Sequence, residues 1–171
     1  MRNVSRILVS ACLAGVKCNY KAAASSDYQE RLLLWERIFS EFVVFPVCPE
    51  QLGGLPTPRI PAELVGSAEN IISGDGLVVN KAGLDVTANF IRGAKETLRL
   101  AKMLRVDCAV LKSKSPSCGK NSVYDGTFSG VLIPGSGLSA RMLVENGFRV
   151  FDEQEFLEHC QCTFAGSFSG T

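Results

Sequence analysis

At 171 residues, with 46% apolar and 20% charged residues, the chain is long enough for one domain with a real core. Its net charge of +1 carries no general electrostatic footprint for nucleic acid or an anionic membrane. Nothing in it approaches the roughly 20 apolar residues of a membrane span.

Seven cysteines, an odd number in a chain of this length, argue against a secreted, disulfide-stapled domain. The start, MRNVSRILVSAC, places Val-Ser-Ala before Cys12 as a lipoprotein cleavage site would. The uninterrupted apolar run there is only Ile7, Leu8 and Val9, against the roughly 7–15 residues of a signal core. The expectation is a cytoplasmic protein with reduced thiols.

In chain order, residues 6–11 (RILVSA) read as a short strand apolar on both faces, with Cys12 in the loop behind it. Residues 27–42 read as a helix capped by Ser26 or Asp27, with Leu32, Leu33, Trp35, Ile38, Phe39 and Phe42 on its apolar face. A second strand, Val43 to Val47, ends at Cys48. Prolines at 49, 56, 58 and 61 then predict a long loop without regular structure over residues 49–64. Residues 71–80 have the pattern of a small hairpin turning at Gly74-Asp75-Gly76.

A long amphipathic helix is predicted over 85–104, and a third strand over 106–111. The strand breaks into the polar loop KSKSPSCG, residues 112–119. A helix over 138–146 stopped by Gly147, a fourth strand over 148–151 and a closing helix over 153–160 complete the pattern. The tail after it is expected to be flexible. The order βαβ, hairpin, αβ, αβα implies an α/β fold, a mostly parallel sheet with helices on both faces plus a small hairpin. Residues 1–152 form its domain, and 153–171 the closing helix and tail.

Cys12 and Cys48 follow the carboxyl ends of strands one and two, and Cys118 lies shortly beyond strand three. In a doubly wound sheet those ends share one edge, so the three thiols are expected to converge there. Thiolates gathered at one point repel unless a cation holds them, so a metal or cluster is the natural partner. The close CxxC pairs of structural zinc sites are missing. Four thiolates would complete an iron–sulfur cluster; three leave one iron open as a Lewis acid for a soft atom such as sulfur.

Cys108 reads as a small core residue. Cys18 is a fourth ligand, a redox thiol or a bystander, with the last preferred, and the spacing of Cys160 and Cys162 is weak evidence for metal. Glu50, two residues past Cys48, is a candidate general base beside an apolar loop that would raise its pKa. Ser113, Ser115 and Ser117 are candidates for orienting a substrate. The single histidine, His159, is expected at the surface.

The segments VSACLAGVKCNY (9–20), FPVCPEQLGGLPTPRIPAEL (45–64), GLDVTANFIRGA (83–94) and LKSKSPSCGKNSVYDGTFSGV (111–131) resemble a small bacterial family, long a domain of unknown function, that includes the thiouracil desulfurases. The resemblance runs to about residue 152. It implies a Rossmann-like domain with a [4Fe-4S] cluster on Cys12, Cys48 and Cys118. It implies also that the open iron takes the sulfur of a thiolated pyrimidine, base or nucleoside, and that water replaces it without net redox change. The carboxylate and serine that help would be Glu50 and Ser115, with Ser113 and Ser117 as substrate contacts.

The family commonly continues its first block as cysteine-arginine-tyrosine-aspartate-glycine, whereas this chain has Cys18-Asn19-Tyr20-Lys21-Ala22. A rebuilt turn is expected there. Two other readings stand beside the desulfurase: a cofactor-free thiol enzyme using Cys118, and a metal-binding or redox-sensing module without turnover.

Overall fold

The computed structural model describes residues 5–166, with side chains as far as residue 160. Strand β1 (Arg6–Ser10) lies at the centre of a parallel sheet. It pairs with β2 (Val43–Val47) on one side and β5 (Cys108–Leu111) on the other, and β5 pairs with β8 (Arg149–Asp152). The order is β2-β1-β5-β8. Pro46 is tolerated within β2 because that strand is an edge.

The unbroken apolar runs follow from cover on both faces. Ile7 and Val9 pack with Trp35, Ile38, Phe156 and Leu157, while Leu8 between them packs with Ala101, Val106 and Leu143. The expected α/β architecture is present. Its strand order reverses between β1 and β5, and at such a point the connections leaving the carboxyl ends part to opposite sides of the sheet and leave a crevice.

Helices and ribbons depart from expectation in places. The predicted 27–42 helix is two, α1 (Ser26–Glu30) and α2 (Leu32–Glu41), broken at Arg31. The cap of α1 is Ser25, whose hydroxyl accepts the Asp27 N–H, because Asp27 is engaged with the Trp35 indole. Leu33 is 81% exposed, so the apolar face is narrower than its sequence suggested.

The proline-rich stretch is not structureless. Pro49 opens a short helix, α3 (Pro49–Leu52), at the first helical position, where its missing N–H removes no intrahelical bond. The same stretch ends in β3 (Ala62–Val65). The hairpin expected over 71–80 is also corrected. Ser67 caps α4 (Ala68–Ser73), which Gly74 closes in the left-handed conformation at φ 100°. Strand β4 (Leu77–Asn80) then pairs antiparallel with β3, so the ribbon exists but its first strand lies upstream.

Helix α5 (Thr87–Leu104) buries Phe90, Ala94 and Ala101 much as its periodicity predicts. A second, unpredicted ribbon, β6 (Ser122–Tyr124) with β7 (Leu132–Pro134), rises out of the loop after β5. Helix α6 (Leu138–Glu145) and helix α7 (Glu153–Gly166) follow. Phe156, Leu157 and Cys160 of α7 enter the core beside α2, and His159 is exposed. Helix α7 continues to Gly166, past the predicted end at residue 160 and into the stretch expected to be flexible; the rest of that stretch, and the Cys162 side chain, fall outside what the structure describes.

One contact sets the position of α3. A Cβ on Gly93 would stand 2.0 Å from the Pro49 carbonyl oxygen, and one on Gly53 would stand 2.1 Å from that of Asn89. The two backbones touch with no room for a methyl group, and the Asn89 amide donates to the Gly53 carbonyl at 2.9 Å. Cys48 and Glu50 are thereby fixed against the N-terminal half of α5.

Candidate active site

At the carboxyl ends of β1, β2 and β5 lies a cavity of about 610 Å³. Cys12 reaches it from the single 3₁₀ turn Ala11–Ala14 that follows β1. Cys48 reaches it from the junction of β2 and α3, and Cys118 from the loop after β5.

That loop is held from both ends. The Lys112 N–H donates to the Ser10 hydroxyl at 2.9 Å, tying the ends of β1 and β5 together. The Ser115 hydroxyl oxygen accepts from the N–H groups of Ser117 and Cys118, each at 3.1 Å. The first N–H groups of α6, which have no partner within their helix, donate instead to this loop. Leu138 reaches the Pro116 carbonyl at 3.0 Å and Ser139 the Ser117 carbonyl at 2.9 Å. Helix α6 thus serves as the floor on which Cys118 is presented.

The thiols sense one another. Burial, and then the neighbouring charge of Cys48, pushes the Cys12 thiol up to about 12. Burial raises Cys118 well above the ordinary thiol range, with Cys12 and Cys48 adding to it. Cys18, fully buried beside them, hydrogen-bonds to Cys48 and lowers the pKa of that thiol while its own rises. Cys12 and Cys118, raised in this way, need a cation beside them to become thiolates, whereas Cys48 is already poised toward that form.

Among the described residues no three His, Cys, Asp or Glu side chains close on a single ion, as a zinc site would require. A cluster needs no such point, because each ligand binds its own iron. Three thiols on a shared cavity therefore fit an iron–sulfur cluster better than a mononuclear metal.

Glu50 also lines the cavity, but its neighbour is not the apolar wall that was expected. The Arg59 guanidinium donates through Nε to its carboxylate at 2.5 Å and through Nη1 to the Cys18 carbonyl at 3.0 Å. The Arg59 side chain is only 6% exposed. Sequence reasoning assigned Arg59 no role, although it closes the conspicuous CPEQLGGLPTPR block.

The three candidate serines separate. Ser115 lines the cavity. Ser113 lines it too, yet its hydroxyl donates to Glu153 at 2.6 Å and accepts from Lys112 Nζ at 3.1 Å, so it is bound into the wall. Burial alone would raise Glu153; hydrogen bonds from Lys112 and Ser113 outweigh that and hold its carboxyl below the ordinary range. Glu153 was another residue missed, read only as the start of a helix. Ser117 is fully buried with its hydroxyl 3.3 Å from that of Ser139, beneath the loop, and does not line the cavity. Cys108 and Cys160 lie away from the cavity, and both belong with the core between the sheet, α2 and α7.

The turn at Asn19-Tyr20-Lys21-Ala22 is not rebuilt as expected. Ala22 takes the left-handed conformation at φ 56°, in the place where the family pattern has glycine. Asn19 compensates: its side-chain oxygen accepts the N–H groups of Lys21 and Ala23, each at 2.9 Å, and its amide donates to the Ala24 carbonyl. Ala22→Gly is expected to stabilise the protein by about 1 kcal/mol by relieving the Cβ clash of that conformation. A denaturation midpoint no higher than that of the parent chain would show that the turn stores no strain.

The sequence model of the 2-thiouracil desulfurase family matches residues 7–155. The uncharacterized protein YbbK of Bacillus subtilis (strain 168) is 41% identical over 150 residues, covering 87% of this chain and 96% of that one. A solved structure of the [4Fe-4S]-dependent thiouracil desulfidase TudS (DUF523Vcz) superposes with a TM-score of 0.79 at 37% identity. That match spans 94% of this chain and 99% of the other.

Proposed function

The chain belongs to the 2-thiouracil desulfurase family, and on that footing we propose that it replaces the sulfur of a thiolated pyrimidine with oxygen from water, using a [4Fe-4S] cluster on Cys12, Cys48 and Cys118. One observation carries the reading. Three thiols delivered by three separate strand ends line the same cavity as a carboxylate, Glu50. The cavity, about 610 Å³, is within the usual range for small-molecule sites. Such a cluster, when bound, supplies an iron without a protein ligand, a Lewis acid with affinity for sulfur.

The remaining work falls to the chain's own groups. Glu50 accepts a proton from a water whose oxygen adds to the thiocarbonyl carbon. Arg59 orients that carboxylate through its Nε and is itself anchored on the Cys18 carbonyl. The Ser115 oxygen already accepts two backbone N–H groups, so its own O–H is left to donate toward the departing sulfur. The carbon–sulfur bond breaks, the carbon–oxygen double bond forms, and the two protons of the water leave with sulfur as hydrogen sulfide. Thiouracil and water give uracil and hydrogen sulfide, and no electrons are exchanged.

Burial counts against Cys118 as a cofactor-free nucleophile, since it leaves little thiolate to attack. A site that depends on reduced thiols suits the cytoplasm.

Protein made and purified without oxygen is expected to be brown, with about four irons and about four inorganic sulfides per chain. It should convert 2-thiouracil to uracil with one sulfide released per turnover, and the new oxygen should come from labelled water. Fully loaded protein inert toward both 2-thio and 4-thio pyrimidines would sink the enzyme and leave a metal-binding module.

A further inference from the structure

The arm between β6 and β7, residues 125–131, carries a feature that neither the thiols nor Glu50 account for. Phe128 lines the cavity and stands in the left-handed region at φ 57°, a conformation that bulky side chains seldom adopt. Its N–H donates at 2.9 Å to Oε2 of Glu63, and the Gly126 N–H donates to the same oxygen at 3.0 Å. Glu63, at the start of the β3/β4 ribbon, is only 8% exposed. Within the arm, Asp125 accepts from the Thr127 N–H at 3.0 Å and from its hydroxyl at 2.7 Å, and the Asp125 N–H donates to the Val131 carbonyl.

A strained phenylalanine and a buried carboxylate both lower stability, and a half-buried ring at a cavity rim needs neither for packing. Strain of this sort persists where the surroundings enforce it, and it gathers at binding sites. Tyr124, from the strand leading into the arm, lines the same cavity, so this ribbon brings two aromatic side chains to its wall.

We propose that Phe128 is the specificity-determining platform of this site, its ring lying against the face of the planar thiolated base, with Glu63 as the positioning residue that holds it there. The inference rests on the desulfurase reading and sharpens its substrate class. The site selects conjugated six-membered rings over open-chain compounds that carry the same N–C(=S)–N group.

Stacking of a base on an aromatic side chain is sequence-tolerant and is lost on truncation of that side chain. With cluster-loaded protein, Phe128→Leu should raise KM for 2-thiouracil by about tenfold while kcat falls far less. The Kd for the product uracil, measured by equilibrium dialysis, should weaken in parallel. Turnover of thiourea, which has no ring to stack, should change little between the two proteins. Phe128→Tyr should recover most of the lost affinity, and Glu63→Gln, which keeps the shape of residue 63, should raise KM in the same sense as Phe128→Leu with the iron content retained.

A Phe128→Leu protein with unchanged KM and unchanged Kd for uracil would overturn the proposal, as would an equal loss on thiourea. Should Phe128→Leu not fold, Glu63→Gln with unchanged uracil affinity overturns it as well. If the loaded parent protein bound uracil through Phe128 yet turned over no thiobase, the desulfurase reading would fail while the platform stood.

Discussion

Replacing Cys118 with alanine is expected to remove the bound iron and the catalytic turnover together while leaving the fold in place. The side chain is 5% exposed and small, so its loss opens only a minor cavity. The loop around it is held by N–H bonds to the Ser115 hydroxyl and by bonds from the first turn of α6, none of which involves the sulfur. Alanine at Cys12 or Cys48 should do the same.

Outer partners of metal ligands already cost 10–100-fold in affinity or activity when removed, and loss of a ligand itself should exceed about 100-fold in kcat/KM. Cys108→Ala and Cys160→Ala provide the contrast, because those thiols lie away from the cavity and should keep their full iron. Iron and sulfide assay of the five variants beside circular dichroism decides the matter. A folded Cys118→Ala protein with a full complement of iron would remove Cys118 from the ligand set.

Glu50→Gln is expected to separate chemistry from cluster binding. Glutamine keeps the length of the side chain and an oxygen for the Arg59 guanidinium, so the wall of the cavity should stay as it is. It cannot take a proton from water. Removal of a positioned general base typically costs about 100- to 10,000-fold, and kcat should fall by that amount with iron content and uracil affinity retained. A kcat close to that of the parent chain would reduce Glu50 to an anchor for Arg59. An equal loss of iron would mean that the carboxylate supports the ligands instead of the water.

The frame of the fold was legible where local pattern and tertiary setting agree. β1, β2 and β5 are short apolar runs that stop at or near cysteine, and their parallel pairing places those ends on one edge. Helix α5 shows its buried face in its own periodicity.

The ribbon β3/β4 was misplaced because its first strand ends a proline-rich stretch, and because Gly74 closes a helix that Ser67 had opened. Both residues also fit a loop, so only pairing across the ribbon distinguishes the two. In the site, the cysteines and Glu50 could be singled out as residue types in a pattern. Arg59, Glu63 and Glu153 could not, since each acts through partners distant in sequence: Glu63 meets residues 126 and 128, and Glu153 meets 112 and 113. Ser115 and Ser117 are two residues apart in the same loop, one in the cavity wall and one beneath it, a difference that spacing does not encode.

The contact between Gly53 and Gly93 has a consequence for how such an enzyme can change. Glu50 lies in a short helix seated backbone to backbone on α5 and Cys48 is the residue that caps it, so thiol and carboxylate move as a single part. Any substitution that shifts α3 alters both, and selection cannot adjust one without the other. The arm bearing Phe128 is joined to the rest partly through hydrogen bonds to one carboxylate, and its residues can vary without disturbing that seat. Diversification toward new thiocarbonyl compounds should therefore accumulate in residues 125–131, while the seat of α3 on α5 stays fixed.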